Sequence, residues 1–294
     1  MSLPNLNLGK VDNKGYEIAL GWNDTVGNEF NYFVNANVSF ARNKIIFMDE
    51  VPKEFDYMNK TGGSTGRDNL LYKYVRLYQY SDFVKNDQGE LVLNPDLPQP
   101  YQKVYPGDAM YEDLSGDGIV DGDDKCITGY SEIPEYMFGL NAGFNWKGFS
   151  FSMQWTGATN VNKMYDIEYR IPYTNAGKRG LLTYFYEGCW TPENQEGAIY
   201  PRPAEVSEAW NSEASTLWLK DASYVRLKNL TVGYTLSGKD YLKKVGINSI
   251  GLSFSGYNLL TFSPLKHIDP EAQTNRFGDY PLVKLYSFGL NVNF

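Results

Sequence analysis

The chain has 294 residues, a formal net charge of −8 and a single histidine. An acidic chain without blocks of lysine and arginine is a poor nucleic-acid binder, because affinity for phosphates depends on basic side chains. One histidine and two cysteines disfavour multi-histidine metal sites, most triad chemistry and a disulfide framework. Aromatic residues form 16% of the sequence, with 24 Tyr, which favours a folded β protein over disorder.

The amino-terminal residues show neither a basic stretch followed by an apolar one nor any other feature of a secretory signal. The sequence also contains no run of about 18 apolar residues and so predicts no transmembrane helix. Strand-like sequence begins almost at once. We therefore expect either a cytosolic protein or the downstream part of a longer one.

Seven segments alternate between large apolar residues and small polar residues with the two-residue period of a β-strand. The period places the two sets on opposite faces of a sheet. Further strands are conceivable at 71–82 or 164–173. We predict an all-β fold whose clear strands cover residues 15–22, 30–40, 138–146, 149–156, 229–236, 250–254 and 286–294.

The polar face of these strands distinguishes two kinds of sheet. In a soluble β-sandwich the face away from the core usually carries Lys, Glu and Thr. Here it carries Gly, Asn, Ser and Gln, while Trp and Tyr concentrate towards the strand ends of the apolar face. That combination is typical of an antiparallel transmembrane β-barrel, with apolar residues facing lipid and aromatic girdles at both interfaces. A soluble Tyr-rich sandwich is the alternative.

The connections between strands alternate strictly in length. Those at 23–28, 147–148 and 237–247 are short, and those at 42–136, 159–221 and 261–281 are long. All short connections therefore fall on one side of the sheet. Bacterial barrels have short periplasmic turns and long extracellular loops, so the long connections are predicted to be extracellular.

In the strand that contains Leu230, charged residues occupy positions where the alternation predicts apolar ones. Tyr224, Arg226 and Lys228 precede Leu230 with the same even parity, so we expect them on the same face. A basic residue on the lipid face costs ~2–4 kcal/mol at the midplane and little near the interface. We therefore expect this part of the strand to stand near or above the membrane interface.

An acidic, glycine-rich segment from Asp113 to Asp124 fits the twelve-residue calcium loop. Gly118 permits the sharp turn at position six, and Val120 is the apolar residue at position eight. Serine at position three and aspartate at position twelve depart from the usual pattern, and no clear helices flank the segment. We predict a structural Ca²⁺ site, the alternative being an acidic solvated turn. The predicted ligands are Asp113, Ser115, Asp117, Ile119 through its carbonyl, Asp121 and Asp124.

The remaining chemically active residues give weaker indications. Cys126 and Cys189 lie in two different long connections, and a disulfide and two free thiols both stay open. We interpret His267 as a loop residue. Paired carboxylates can hydrolyse glycosidic bonds, but unpaired loop carboxylates are common and we predict no enzyme. The pairs considered are Glu132 with Glu135 and Glu187 with Glu193.

Several longer motifs, in this order and spacing, resemble the C-terminal part of SusC/RagA-type TonB-dependent outer-membrane transporters of Bacteroidetes. The resemblance covers essentially the whole chain, 1–294. The segments that carry it are 9–18, the acidic loop 113–124, 136–139 leading to 146–149, 217–230, 256–259 and the ending 280–294.

This resemblance implies a position in the cell outer membrane, in contact with lipid, as part of a large barrel such as the 22-stranded transporters. It also implies a SusD-like lipoprotein over the extracellular mouth and TonB-driven uptake of oligosaccharides or peptides. The chain shows no plug domain and no TonB box, so we expect a truncated gene product or partial sequence that does not transport by itself.

Three hypotheses follow. The first is a segment of a nutrient importer, in which loop aromatics either stack on substrate or pack loop on loop; these are Tyr165, Tyr169, Tyr173 and Trp190. The second is a self-contained small porin-like barrel, which needs an eighth strand. The third is a soluble or surface calcium-binding β module for glycan binding or adhesion.

Overall fold

A single antiparallel sheet of seven long strands dominates the computed structural model, which describes residues 8–67, 70–173, 180–204, 209–272 and 282–294. The long strands are β1 (Lys10–Val26), β2 (Phe30–Phe47), β11 (Tyr136–Trp146), β12 (Phe149–Thr159), β15 (Tyr224–Ser237), β16 (Ser249–Phe262) and β17 (Leu285–Asn293). They pair in chain order, as β1-β2-β11-β12-β15-β16-β17. The predicted all-β antiparallel architecture is confirmed.

Short elements fill the long connections. The short strands are β3 (Leu71–Tyr72), β4 (Tyr74–Leu77), β5 (Phe83–Lys85), β6 (Leu91–Leu93), β7 (Gln99–Pro100), β8 (Ala109–Tyr111), β9 (Ile119–Val120), β10 (Lys125–Cys126), β13 (Asn162–Met164) and β14 (Leu219–Asp221). The α-helices are α1 (Ile167–Arg170), α2 (Thr183–Gly188) and α3 (Asp240–Lys243), and 3-10 turns span Asp56–Met58, Tyr80–Asp82, Gly122–Asp124 and Ala209–Ser212. Within the described ranges no helix is long and apolar enough to cross a membrane.

The strands extend beyond the predicted limits, chiefly on the side of the long connections. The turn at Lys147 and Gly148 lies where the sequence predicts it, and both residues have positive φ, 48° and 88°. Such φ values suit a two-residue hairpin turn, whose twist matches that of the flanking strands. Residues 71–82 contain the short strands β3 and β4, which pair with β10 and β8 and do not join the seven-stranded sheet, and 164–173 contains helix α1. The Asp166 side chain caps that helix by accepting a hydrogen bond from the Ile167 N–H at 2.7 Å.

A β-bulge in β15 overturns the expectation for its charged residues. Met153 lies opposite Leu230, but Trp155 lies opposite Leu227, so Lys228 is an extra residue between the paired positions. Because of this extra residue, the side chains of residues 224–227 point to the face opposite the one that strict alternation predicts. The prediction that Arg226 shares the face of Leu230 is therefore wrong: Arg226 lies opposite Thr156, on the polar face.

The hydrophobic core of the molecule lies in the long connections and not on the sheet. We call residues 48–135, 160–223 and 263–272, as far as they are described, the loop layer. Its core is an aromatic cluster whose buried members include Tyr72, Tyr78, Tyr111, Tyr165, Phe185, Tyr200, Trp210 and Trp218. The ring planes of Tyr200 and Trp218 are 6° from parallel, with centroids 5.8 Å apart. The long connections thus form a packed layer on one side of the wall.

Candidate functional site

The apolar face of the sheet, which we call the outer face, is continuous across its strands. One cross-strand row runs from Leu20 through Ala36, Leu140 and Trp155 to Leu227. The outer face comprises Tyr16, Ile18, Leu20, Trp22, Phe30, Tyr32, Val34, Ala36, Val38, Phe40, Tyr136, Phe138, Leu140, Ala142, Phe144, Trp146, Phe149, Phe151, Met153, Trp155, Leu227, Leu230, Val232, Tyr234, Leu236, Ile250, Leu252, Phe254, Tyr286, Phe288, Leu290 and Val292. None of these residues is charged, and the charged residues of the same parity in β1 and β2 lie at the ends of the face: Asp24 at the short-turn end, and Asp12, Lys14, Arg42 and Lys44 at the long-loop end.

Many outer-face residues are open to the surroundings. Leu20 is 71% exposed and Phe288 81% exposed. A contiguous apolar surface of this extent is unfavourable in water and marks a surface that contacts another protein or lipid. The absence of charge from that list favours lipid, since lipid-facing charge is costly at the midplane.

Aromatic rings form a band at each end of the outer face. At the short-turn end the Trp22 Nε1–H donates to the Tyr32 hydroxyl at 3.1 Å. At the long-loop end the rings of Phe40 and Tyr136 lie 4.6 Å apart. The distance from Tyr136 to Trp146 along β11 is roughly 33 Å at about 3.3 Å per residue. A strand tilt of about 40° reduces this to about 25 Å, the height of the apolar band of outer-membrane barrels.

The opposite, inner face is lined mostly by small neutral residues, with exceptions such as Glu17 and Phe33. Asn35 and Asn37 lie beside Gly21 and Gly139, where any larger side chain would collide with the amide oxygens. Across the strands, the Asn229 amide donates to the Gln154 side chain. The inner face therefore presents amides and hydroxyls, which satisfy one another or bind water.

Arg226 joins the wall to the loop layer at the long-loop end of the inner face. Its side chain is 1% exposed, and one guanidinium nitrogen contacts both Asp269 oxygens at 2.7 Å. A second nitrogen lies 2.8 Å from Glu271, which also accepts hydrogen bonds from Lys228. The bulge thus brings two basic side chains to two carboxylates of the segment that follows β16.

The loop aromatics that were candidates for substrate stacking divide into two groups. Tyr165 and Trp190 are buried, and the Trp190 indole donates to the Gln79 side chain at 3.0 Å. These two pack loop on loop. Tyr173 is exposed, while Tyr169 is partly buried against the aromatic core. Burial raises the pKa of Tyr165, as expected for a phenol in an apolar environment.

The acidic segment folds into a compact turn held by its own carboxylates. Asp113 accepts hydrogen bonds from the Gly116 and Gly118 N–H groups at 2.7 and 2.9 Å. Burial opposes ionisation of Asp113, but these hydrogen bonds outweigh it and lower the pKa of the side chain. Asp124, fully buried, accepts from the N–H groups of Leu114 and Ser115 at 2.8 and 2.9 Å. The predicted first and last ligands therefore lie at the same side of the turn.

The rest of the predicted ligand set lies on this turn as well. The side chains of Asp117 and Asp121 accept from the N–H groups two residues ahead, and Ile119 forms β9. In the described part of the chain no group of three or more His, Cys, Asp or Glu is arranged to hold a metal ion. Each carboxylate has several acceptor positions, so a hydrogen bond to one of them leaves others available to a hard cation. The donor types suit calcium, and the site stays a prediction.

The other chemically active residues are buried, stacked on an aromatic ring or held in an ion pair. Cys126 and Cys189 are both free and buried, and burial raises the pKa of each thiol. The His267 ring stacks on Tyr184 with centroids 4.2 Å apart, and burial lowers its pKa. Glu135 accepts two hydrogen bonds from Arg42, at 2.7 and 2.6 Å.

One buried ionic cluster carried no sequence signal. Asp108 is 2% exposed, accepts from Arg202 at 2.6 Å and accepts from the Asn211 amide at 2.8 Å. Burial raises the pKa of Asp108, against the opposing effect of Arg202. Its partners lie about a hundred residues away in sequence, so no local pattern identifies the cluster. It holds two long connections together.

An uncharged apolar face, two aromatic bands and loops sorted to one side together define a wall segment of an outer-membrane β-barrel, and comparison with known proteins agrees. The chain is 28% identical over 98% of its length to the TonB-dependent receptor P3 of Formosa agariphila, and 22% identical to SusC of Bacteroides thetaiotaomicron, again over 98%. It spans 29% and 27% of those relatives. No family model matches the chain.

Solved structures have the same fold. The RagAB peptide importer in its open-open state matches 97% of the chain with a TM-score of 0.64 at 18% identity, covering 29% of that structure's chain. A second RagAB structure matches with a TM-score of 0.62 at 20% identity. The sequence relatives and the shared fold support a segment of the SusC/RagA type of TonB-dependent receptor, and receptors of this type are outer-membrane proteins.

Proposed function

We propose that the chain forms part of the wall and the extracellular loop layer of a TonB-dependent importer that takes up oligosaccharides or peptides. The observation that carries the proposal is the outer face, which has no charge between two aromatic bands about 25 Å apart. A largely polar inner face opposite it suits the lining of an aqueous or plugged lumen. The relatives are named as receptors, and the solved neighbours as a peptide importer or transporter, so the proposed role is transport and not catalysis.

The proposed partners follow from the same relatives. A SusD-like lipoprotein would cover the loop layer, and TonB would energise uptake through parts of the receptor outside the matched segment. The buried aromatic core supports this role, because it gives the loop layer a defined surface on which a partner can sit.

Uptake in cells tests the proposal. The gene of the complete receptor is deleted and the uptake of fluorescent oligosaccharides and peptides is measured, with and without a protonophore. We expect loss of uptake of one class, equal loss when the proton gradient is removed, and restoration by the wild-type gene. Uptake unchanged by deletion for every probe would contradict the importer role, and purification of the receptor without detergent would favour the soluble β module.

We also propose that the acidic turn binds one Ca²⁺ that rigidifies the loop layer. The support is the hydrogen-bonded turn, which places Asp113 and Asp124 on one side. Asp117→Asn removes a proposed ligand charge, and Asp123→Asn removes a neighbouring charge outside the ligand positions. We expect calcium to raise the melting temperature of the wild type and of the Asp123 variant, but not of the Asp117 variant. An equal calcium response in all three would contradict the site.

A further inference from the structure

Four basic side chains lie just beyond the aromatic band at the long-loop end of β1 and β2. We call Lys14, Arg42, Lys44 and Arg67 the basic belt. Arg42 follows Phe40 on the outer face, and its guanidinium carbon lies 5.6 Å from the Phe40 ring centre. Lys14 lies opposite Arg42 in the strand pair. Lys44 has the same parity as Arg42, so the three strand residues of the belt lie on the lipid side of the wall and not in the lumen.

A cavity of about 420 Å³ opens among these residues. Arg42, Lys44 and Arg67 line it together with Asn43, Tyr130, Glu135 and residues 62–64. Its rim is fixed to β2, because Ile45 exchanges hydrogen bonds of 2.8 Å with Gly62 and Gly63. Cavities of this size hold small ligands or headgroups.

The charges of the belt are not balanced. Glu135 pairs with Arg42 and Asp12 pairs with Lys14 at 3.3 Å. Asp12 lies opposite Lys44 in the strand pair, but within the described residues no ion pair or hydrogen bond involves the Lys44 side chain, and the buried Nε–H of Arg67 has no acceptor. A buried donor without a partner is unfavourable, so this one is expected to meet an acceptor supplied from outside.

We propose that the basic belt binds the phosphate of an anionic glycolipid in the outer leaflet. Arginine and lysine recognise phosphate through charge-assisted hydrogen bonds, and basic pockets beside membrane-spanning elements bind anionic headgroups. Two residues beyond Phe40 correspond to about 7 Å along the strand, which places the belt at headgroup level. A solute passing through the lumen does not reach this face.

The inference rests on the proposed orientation of the loop layer towards the cell exterior, but its test does not involve transport. The complete receptor is purified in detergent, and binding of monophosphoryl lipid A is measured by native mass spectrometry. We expect the double variant Lys44→Gln/Arg67→Gln to bind at least ten-fold more weakly than the wild type. The double variant Lys85→Gln/Lys103→Gln, in the loop layer, should bind as the wild type does.

Further measurements distinguish the possible sources of the phosphate and test whether the substitutions act only by disturbing the fold. Lys44→Arg/Arg67→Lys keeps both charges and should restore binding, while heat-modifiable migration shows that each variant folds. Dephosphorylated lipid A should bind no better to the wild type than to the charge-removing variant. Equal binding by that variant, displacement by millimolar inorganic phosphate, or a preference for phosphatidylglycerol over lipid A would each overturn the proposal, whether or not the receptor imports a nutrient.

Discussion

The sheet and the loop layer use the same aromatic-rich composition for two different environments. On the sheet, large apolar side chains point outward, and Phe288 is 81% exposed. In the loop layer the rings turn inward, and Trp218 is fully buried. The loop layer therefore folds as a water-soluble domain does, by burying its apolar surface. The wall gains comparable stabilisation only when lipid covers the outer face.

The comparison also explains the different hydrogen-bond patterns. Neighbouring strands of the wall pair their backbone groups in one ladder of seven strands, of which β1 and β17 are the edge strands. The loop layer combines two-stranded pairs with many side chain to backbone bonds, such as Tyr111 to the Trp210 carbonyl at 3.0 Å. Irregular backbone of that kind is tolerated where water or packed side chains supply partners.

The largest expected effect comes from emptying the loop core. Trp218→Ala removes a buried indole that donates to the Asn211 carbonyl at 2.8 Å, and it should cost about 3–5 kcal/mol. We expect the loop layer to become sensitive to protease while the barrel keeps its heat-modifiable migration. Tyr186→Ala, at an aromatic residue that is 70% exposed, is the matched control and should stay resistant. Loss of the barrel together with the loops would show that the two regions do not fold separately.

The next effect tests the wall itself. Leu140→Arg places a charge in the middle of the outer face and should cost about 2–4 kcal/mol. The adjacent Asn141→Arg places the same charge on the inner face, where it can be solvated. We expect lower yield of folded barrel in the membrane for the first variant only, measured by heat-modifiable migration. Equal yields would mean that the outer face does not contact lipid.

A smaller effect is expected where the two regions meet. Arg226→Met leaves Asp269 and Glu271 facing an apolar side chain, and since both carboxylates are partly exposed we expect a loss of about 1–3 kcal/mol. Lys228→Met removes only the contact with Glu271 and should cost less. Hydrogen exchange of 263–272 measures both, and faster exchange in the Lys228 variant than in the Arg226 variant would contradict this ranking.

Strand alternation made the wall predictable, because the pairing of β11 with β12 follows from the local period and the chemistry of the turn at Lys147 and Gly148. The bulge at Lys228 was not predictable from the period, since it depends on pairing with β16 and on carboxylates about forty residues away. Its only sequence signal was charge at the apolar parity of Arg226 and Lys228. We interpreted that signal as a part of the strand standing above the membrane, whereas it marks the point where the side chains of the strand change face.

The core of the loop layer could not be predicted from the sequence either. Tyr72 and Tyr111 stack 4.8 Å apart and both contact Trp210, but these residues are widely separated and follow no period. The acidic turn was easier, because Asp113 and Asp124 lie within one short segment whose glycines fix the bend. Local patterns thus identify strands and turns, while contacts between distant connections require the structure.

The smallest expected effect is the pH response of the junction between β2 and β11. The hydrogen bond from Arg42, against the effect of burial, holds the pKa of Glu135 below its ordinary value. The pair therefore stabilises the fold above the ordinary glutamate pKa, and this stabilisation is lost as the pH falls through the lowered value. Because the Arg42 side chain is half exposed, we expect only about 0.5–1 kcal/mol at pH 7.

Comparing Glu135→Gln with the wild type isolates this contribution. The variant should be more easily cleaved by protease near residues 60–67 at neutral pH, and the gap should close in acid because the wild-type carboxylate becomes protonated. Glu29→Gln, at an exposed turn pair with Lys147, should show no gap at any pH. A gap for Glu135→Gln that persists unchanged in acid would show that shape rather than charge joins the loop layer to the wall at this corner.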